Sequence, residues 1–136
     1  MGYEVEFVFE KGGSFKVVLL DDVAPKTCKS FWDMVKDSDF IAEVRHGRFG
    51  GEEIYFQSNI EMQEKENNVQ PKHGELCFNP DPDWRAICMF YGDKIAKKEN
   101  PFNLFARISE GLDVAGEIGE RIWLKGAEKV TVRAVK

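Results

Sequence analysis

Residues 15–35 read FKVVLLDDVAPKTCKSFWDMV and contain the change from a strand pattern to a helix pattern on which the predicted fold depends. Residues 15–20 are rich in Val and Leu, as a buried strand is. Pro25 suits the first turn of a helix, where its missing N–H would have no partner in any case. Apolar residues then recur at i, i+3, i+4 and i+7, namely Cys28, Phe31, Trp32 and Val35. This spacing predicts an amphipathic helix over residues 25–36.

The segment before this stretch predicts a strand that pairs with residues 15–20. Apolar side chains occupy every second position, at Tyr3, Val5, Phe7 and Phe9. A period of two is typical of a half-buried strand. Lys11-Gly12-Gly13 supplies residues that adopt positive φ in a tight turn, so the two strands form an antiparallel hairpin. Asp21 and Asp22 then place negative charge near the positive end of the helix dipole.

The rest of the chain is dominated by strand patterns. They cover residues 43–49, 52–57, 75–78, 86–91, 102–108 and 128–135. A weaker helix pattern over 112–118 contains Gly116 and ends at Gly119. Residues 60–73 are polar and predict a long surface loop or short helical turn, and Asn-Pro-Asp-Pro-Asp at 79–83 predicts a turn. Many strands with one or two helices predict a mainly β, antiparallel structure that closes or packs on a helix.

Length and charge limit the class of protein. A chain of 136 residues is one domain, residues 1–136. With 19 basic and 24 acidic side chains and a net charge of −5, it has no overall field to attract nucleic acid or an anionic membrane surface. No apolar run is long enough to cross a bilayer, so a cytoplasmic location is expected. The three cysteines, Cys28, Cys77 and Cys88, have no Cys-x-x-Cys spacing and are interpreted as reduced core residues.

Motifs for metals and common cofactors are missing from the sequence. The two histidines, His46 and His73, lie in separate segments without paired spacing, so no metal site is predicted. The sequence also lacks the glycine-rich patterns of nucleotide-binding loops and the Gly-x-Ser-x-Gly of hydrolases. We therefore predict no cofactor.

The densest polar cluster is residues 45–57, RHGRFGGEEIYFQ. On a strand, Glu53 and Tyr55 share one face and Ile54 and Phe56 the other, so Glu52 and Glu53 do not form an acid/base pair. Gly50 and Gly51 allow a sharp turn or a close approach to a ligand. The guanidinium of Arg48 suits a carboxylate, which belongs either to Glu53 in a solvated ion pair or to a ligand.

Other polar residues leave two readings open. His46 is either a structural residue or a general acid or base, and Glu53 is the second candidate for such catalysis. Asp93 and Asn103, at predicted strand ends, either satisfy turns and backbone groups or face a site. Residues 53–58, EIYFQS, look like the site of a protease used to remove expression tags, but their strand pattern indicates a native strand.

Several segments resemble cyclophilins. Residues 17–31, VVLLDDVAPKTCKSF, are similar to the second strand and first helix of that family. NLFARI at 103–108 with EGLDV at 110–114 resembles the late strand and second helix, and KVTV at 129–132 resembles the closing strand. The resemblance implies a closed, eight-stranded antiparallel cyclophilin-like barrel capped by one or two helices.

A closer similarity is to a group of small bacterial cyclophilin-like proteins without a settled function. It rests on GEEIYF at 51–56, GEL at 74–76, FYGD at 90–93 and NLF at 103–105. Peptidyl-prolyl isomerases of the cyclophilin family carry Phe-His-Arg and then a Phe and a Gln-Gly. Here Arg48 is followed at those spacings by Glu53 and Phe56, so the isomerase residues are not matched.

The function predicted from these patterns is the binding of a small anionic or peptide-like ligand in a polar, aromatic pocket on the barrel. Arg48 would supply charge, Glu53 and Tyr55 would orient the ligand, and Asn103 and Phe105 would form the opposite wall. The alternatives are weak peptidyl-prolyl isomerase activity and an accessory subunit of an amide-cleaving enzyme such as 5-oxoprolinase, which the resemblance suggests. A third is a structural role, as a homo-oligomer or assembly protein, through an exposed strand edge.

Overall fold

A computed structural model describes residues 3–48 and 51–135, which form eight strands and two helices. The strands are β1 (Glu4–Phe9), β2 (Ser14–Leu19), β3 (Phe40–His46), β4 (Gly51–Gln57), β5 (Glu75–Phe78), β6 (Ala86–Ile95), β7 (Asn103–Glu110) and β8 (Glu128–Ala134). The helices are α1 (Pro25–Val35) and α2 (Leu112–Lys125). All strand pairs are antiparallel and close a barrel in the order β1-β2-β7-β5-β6-β4-β3-β8. The predicted mainly β, closed eight-stranded architecture is confirmed.

The barrel interior is filled by aromatic side chains from alternate strand positions. Phe7 lies at its centre, with its ring centroid 5.2 Å from that of Phe15 and 6.2 Å from that of Phe56. Phe31 of α1 stacks on Phe7 at 6.4 Å and lies 5.1 Å from Phe105. Since each buried aromatic side chain removes a large apolar area from water, this cluster is the main source of the barrel's stability.

The helices lie at opposite ends of the barrel. Tyr3, just before β1, stacks on Trp32 of α1 with ring centroids 4.6 Å apart. At the other end of β1, a Cβ built on Gly13 would lie 3.1 Å from Val114 of α2. The two helices thus cover the two openings and leave the outer wall of the strands available for a site.

Helix α2 extends further than the sequence predicts. The expected end at Gly119 is wrong, because Gly119 is buried against the ring of Tyr91, where a Cβ would lie 2.3 Å from the ring carbon Cγ. Close packing, and not helix termination, therefore explains this glycine. The helix ends at Lys125, and its C-cap residue Gly126 has a φ of 94°, which suits glycine.

Other boundaries shift by a few residues. Strand β3 ends at His46, and the predicted strand end at Phe49, like Gly50, lies outside the described residues. Strand β6 continues to Ile95, so Asp93 lies within a strand and not at its end. Gly51 has a φ of 81°, and its backbone lies close to the carbonyl of Lys94, where a side chain would not fit. Neither helix in the described chain has the length and apolarity that a membrane crossing requires.

Candidate functional site

A cleft of about 520 Å³ lies on the outer wall of the barrel, where β4 and β6 meet the segments around them. The alternation of β4 creates its floor, since Ile54 and Phe56 are fully buried in the interior while Glu53 and Tyr55 face outward. The cleft is lined by Gly47, Arg48, Glu53, Tyr55, Asn79, Trp84, Ala86, Cys88, Lys98 and Phe102. Three of the sequence-predicted residues, Arg48, Glu53 and Tyr55, therefore line one cleft.

Glu53 is a buried carboxylate at the floor of this cleft, with 7% of its surface exposed. A Cβ built on Gly47 would lie 2.9 Å from Oε1 of Glu53, so the carboxylate packs directly against the Gly47 backbone. Cys88 lies beside Glu53 in the lining of the cleft. Burial first, and then the charge and hydrogen bond of Glu53, raise the pKa of Cys88 well above its usual range. Cys88 is therefore a protonated donor and not a nucleophilic thiolate.

Two cationic side chains face the cleft. Arg48 follows β3 and is exposed, and Lys98 comes from the segment between β6 and β7. The ammonium of Lys98 lies 5.3 Å from the ring centroid of Phe102 and 5.6 Å from that of Phe90, in cation–π geometry. The Gln70 amide fixes the backbone there, since Oε1 accepts from Lys98 N at 2.9 Å and Nε2 donates to Ala96 O at 3.1 Å.

The cleft walls are aromatic. Tyr55 and Trp84 meet edge to face with ring centroids 6.5 Å apart, and Phe102 forms the other side. The ring of Trp84 is held by the predicted 79–83 turn, in which the Asp81 carbonyl accepts from Trp84 N at 2.9 Å and from Arg85 N at 2.8 Å. Lys98 and Trp84 were not predicted, because loop residues carry no periodic pattern that assigns them to a face, and Phe102, predicted as the first residue of a strand, lies just before β7.

Asn103 lies outside the cleft and is completely buried. Its Oδ1 accepts from Glu66 N at 3.1 Å and from Asn68 Nδ2 at 2.6 Å. Its Nδ2 donates to Thr27 Oγ1 at 3.2 Å and to the Glu64 carbonyl at 3.0 Å. All four hydrogen-bonding positions of the amide are occupied within the chain, so the predicted role of Asn103 as the cleft's opposite wall is corrected to that of a structural anchor.

The network around Asn103 also holds the start of α1. The carboxylate of Glu66 accepts from Thr27 N and Thr27 Oγ1, each at 2.8 Å, and from Lys26 N at 3.1 Å. Burial tends to raise the pKa of Glu66, but these hydrogen bonds outweigh it and the pKa lies below its usual value. The acidic group at the helix N-terminus is thus Glu66 from the distant loop, whereas Asp21 and Asp22 make no side-chain cap there.

Two other predicted site residues lie elsewhere. Phe105 is fully buried among the interior aromatic side chains, so it cannot form a cleft wall, and Phe102 occupies that position. His46 points toward α2, where its ring lies 4.7 Å from that of Trp123. Its Nδ1 lies 2.8 Å from the Gly47 carbonyl, which can only accept, and Nε2 lies 2.7 Å from Tyr91 Oη. His46 therefore has a structural position away from the cleft.

Tyr91 is the donor to His46. Burial, followed by the charges of Glu52 and Glu120, raises the pKa of Tyr91 to about 12, so its hydroxyl stays protonated. Within the described residues, no three His, Cys, Asp or Glu side chains converge as a metal site would require. The chemistry that the cleft offers is electrostatic and apolar recognition.

Comparisons with known proteins support the fold and family. A family model described as "Protein of unknown function (DUF3830)" matches residues 8–134. No curated protein matches the sequence. The solution structure of the hypothetical protein AF2241 from Archaeoglobus fulgidus is similar with a TM-score of 0.67 and 23% identity over 97% of this chain and 94% of that one. McbB in complex with tryptophan is similar with a TM-score of 0.72 and 15% identity over 95% of this chain, which corresponds to only 44% of McbB.

Proposed function

We propose that this chain, which belongs to the DUF3830 family of proteins of unknown function, binds a small amino-acid-like ligand in the cleft. The ligand would carry a carboxylate, an apolar or aromatic body and an N–H donor. Arg48 and Lys98 would receive the carboxylate, the rings of Tyr55, Trp84 and Phe102 would contact the body, and Glu53 would accept from the N–H group.

The observation that carries this proposal is a buried carboxylate between two cations and three aromatic rings in one cleft. A buried charge is costly unless it is paired, and among the described residues Glu53 makes no ion pair. Arg48 offers a planar donor fork suited to a carboxylate, and Lys98 a compact charge. A ligand with both a carboxylate and an N–H donor would satisfy all three groups.

The choice of a first probe follows from the comparisons. McbB, whose likeness to this chain is one of fold, is in complex with tryptophan. Tryptophan carries the three features that the cleft favours. Indole-3-propionate has the same ring and carboxylate but lacks the amino group, so the pair isolates the contribution of Glu53.

Calorimetric titration with these two compounds tests the proposal. We expect tryptophan to bind, and Arg48→Ala to weaken its binding about tenfold, as loss of a charge-assisted hydrogen bond does. Arg45→Ala is the matched control, because Arg45 is also exposed but pairs with Glu43 at 2.6 Å and lies outside the cleft. Glu53→Gln should weaken tryptophan more than indole-3-propionate. Equal effects of Arg48→Ala and Arg45→Ala, or no binding of either compound, would contradict the proposal.

Peptidyl-prolyl isomerase activity has less support. The ring of Phe56 points into the barrel and is fully buried, so it does not contribute the aromatic floor that cyclophilins use. A protease-coupled proline-peptide assay with Arg48→Ala as control should give rates equal to buffer. We retain the bacterial cyclophilin-like assignment as an interpretation of the sequence resemblance.

The charge, the cysteines and the closed barrel also bear on the partners and location of the chain. We infer that the chain binds neither nucleic acid nor membranes, because its net charge of −5 repels both. Its three buried, free cysteines favour the cytoplasm. In the closed barrel every strand has a neighbour on each side, although β3 and β4 pair at only two positions, so a homo-oligomer or a larger enzyme subunit would assemble mainly through side chains of the described chain. Copurification with a larger partner would support the subunit role.

A further inference from the structure

A second recess of about 400 Å³ adjoins the cleft. The two share Asn79 and Phe102, so a molecule seated against the ring of Phe102 can enter both. The recess is formed by three segments, the loop after β4, the turn after β5 and the residues before β7. None of these segments contains a candidate residue of the sequence-predicted pocket. Asn103, the first residue of β7, also lines the recess.

The chemistry of the recess differs from that of the cleft. It is lined by four side-chain amides besides that of Asn103, namely Gln63, Asn68, Asn79 and Asn100. The charges of Lys65 and Asp81 in its lining are opposite and balance each other. Each amide group both donates and accepts hydrogen bonds without carrying charge. This lining suits a neutral group with its own donors and acceptors, such as an amide or a hydroxyl.

The walls of the recess are fixed in advance. The loop after β4 is held by three hydrogen bonds of Asn103 and by Asn67 Nδ2, which donates to the Leu104 carbonyl at 2.8 Å. In the turn after β5, Asn79 Oδ1 accepts from Asp81 N at 3.1 Å, and Asp81 Oδ1 accepts from Asp83 N at 2.9 Å. Prolines at 80, 82 and 101 further restrict the backbone. Preformed walls reduce the entropy lost on binding.

We propose that the ligand has two parts, an amino-acid-like head in the cleft and a neutral, amide-bearing chain on its nitrogen that occupies the recess. This inference rests on the proposed function and narrows its ligand class to N-acylated amino acids with a polar acyl chain. The acylated nitrogen keeps an N–H for Glu53 and carries no charge toward the amides. Gln63 and Asn100, both exposed at the recess, contact the neutral chain.

Three probes test this by calorimetric titration: N-acetyl-tryptophan, N-acetyl-glycyl-glycyl-tryptophan, and the C-terminal amide of the latter. We expect the diglycyl probe to bind about tenfold more tightly than N-acetyl-tryptophan, as one or two added hydrogen bonds would give. Gln63→Ala and Asn100→Ala should each lower the affinity for the diglycyl probe two- to tenfold and leave the affinity for N-acetyl-tryptophan unchanged. Asn59→Ala is the control, since Asn59 is an exposed amide outside the recess.

The outcomes separate this inference from the proposed function. If both carboxylate probes bind equally and lose affinity with Arg48→Ala, the recess inference is overturned and the cleft proposal stands. If the diglycyl probe and its C-terminal amide bind equally, and Gln63→Ala weakens both while Arg48→Ala weakens neither, the recess takes amide chains without the amino-acid head, and both the cleft proposal and the two-part ligand are overturned. If no probe binds, both are overturned.

Discussion

Glu53 and Asn103 are both buried polar side chains on strands, yet their surroundings are opposite. Asn103 is fully buried, and its amide makes four hydrogen bonds that join the loop after β4 to α1. Glu53 is nearly as buried, but its contacts are the Gly47 backbone and the Cys88 thiol, a weak donor. Burial alone therefore does not identify a functional residue. The hydrogen-bond partners separate the two residues, because the Asn103 amide is fully satisfied within the chain whereas the Glu53 side chain lines the cleft.

The largest effect is expected for Asn103→Ala. It leaves Thr27 Oγ1, the Glu64 carbonyl and Glu66 N without their amide partner in a buried place. We expect the free energy of unfolding to fall by about 2–4 kcal/mol, measured by urea denaturation. Asn100→Ala, at an exposed amide nearby, should change it by less than about 0.5 kcal/mol. A similar small change for both variants would show that the network does not stabilise the fold.

Gly47→Ala tests whether Glu53 is held in place by close packing. The new Cβ would lie 2.9 Å from Oε1 and 3.2 Å from Cδ of Glu53, so the carboxylate must move. We expect a loss of about 1 kcal/mol in stability, as modest overpacking gives, together with weaker tryptophan binding. In the double variant Gly47→Ala/Glu53→Ala the stability loss due to Gly47→Ala should disappear. If the stability loss persisted in the double variant, the new methyl group would be in conflict with a group other than Glu53.

Glu66→Gln tests, through the pH dependence of stability, whether the Glu66 carboxylate stabilises the start of α1. The pKa of Glu66 lies below its ordinary value of 4.5, so its charge stabilises the folded state above pH 4.5 and this contribution is lost as pH falls through the lowered pKa. We expect a stability loss of roughly 0.5–1 kcal/mol near pH 7 that shrinks below pH 4.5, followed by denaturation at several pH values. Glu64→Gln, at the exposed ion pair with Lys26, should have a smaller effect. If the stability loss caused by Glu66→Gln increased as pH fell below 4.5, the stabilising role of the Glu66 charge would be contradicted.

Glu53→Gln should have the smallest effect on stability. Gln has nearly the same shape as Glu and removes a buried charge that makes no ion pair among the described residues, so we expect a change of less than about 0.5 kcal/mol. The pKa of Cys88 should fall, because the charge and hydrogen bond of Glu53 help to raise it. The pH dependence of Cys88 alkylation, followed by mass spectrometry, measures this shift. A stability loss as large as that of Asn103→Ala would make Glu53 a structural residue too.

The sequence predicted which side chains of β4 line the cleft. The alternation of residues 52–57 correctly separates Glu53 and Tyr55 from Ile54 and Phe56. The same rule paired Asn103 with Phe105, and they do share a side of β7. Phe105 faces the barrel interior, Asn103 bonds to the loop after β4, and Leu104 faces outward beside Cys88. Periodicity indicates which residues share a face, but closure of the barrel decides which face is inside.

The remaining site residues depend on contacts between distant segments. Lys98, Trp84 and Phe102 enter the cleft through loops whose course is set by single hydrogen bonds, such as those of Gln70 and the Asp81 carbonyl. The cap of α1 by Glu66 joins residues about forty positions apart, so no local pattern could predict it. Residues that depend on such long-range contacts can be assigned to the cleft or to the cap only from the folded structure.

The central position of β4 has a practical consequence. Residues 53–58 resemble a tag-removal protease site, and the expected cleavage point between Gln57 and Ser58 lies where the strand pairs with Ala86 and where Ser58 N donates to the Arg85 carbonyl at 2.9 Å. A protease must draw its substrate out as a lone extended strand, whereas β4 is paired with β6 as far as Gln57 and with β3 at Ile54 and Tyr55. The native chain should therefore resist the protease during routine tag removal. Any cleavage that does occur would report the rate or extent of global unfolding.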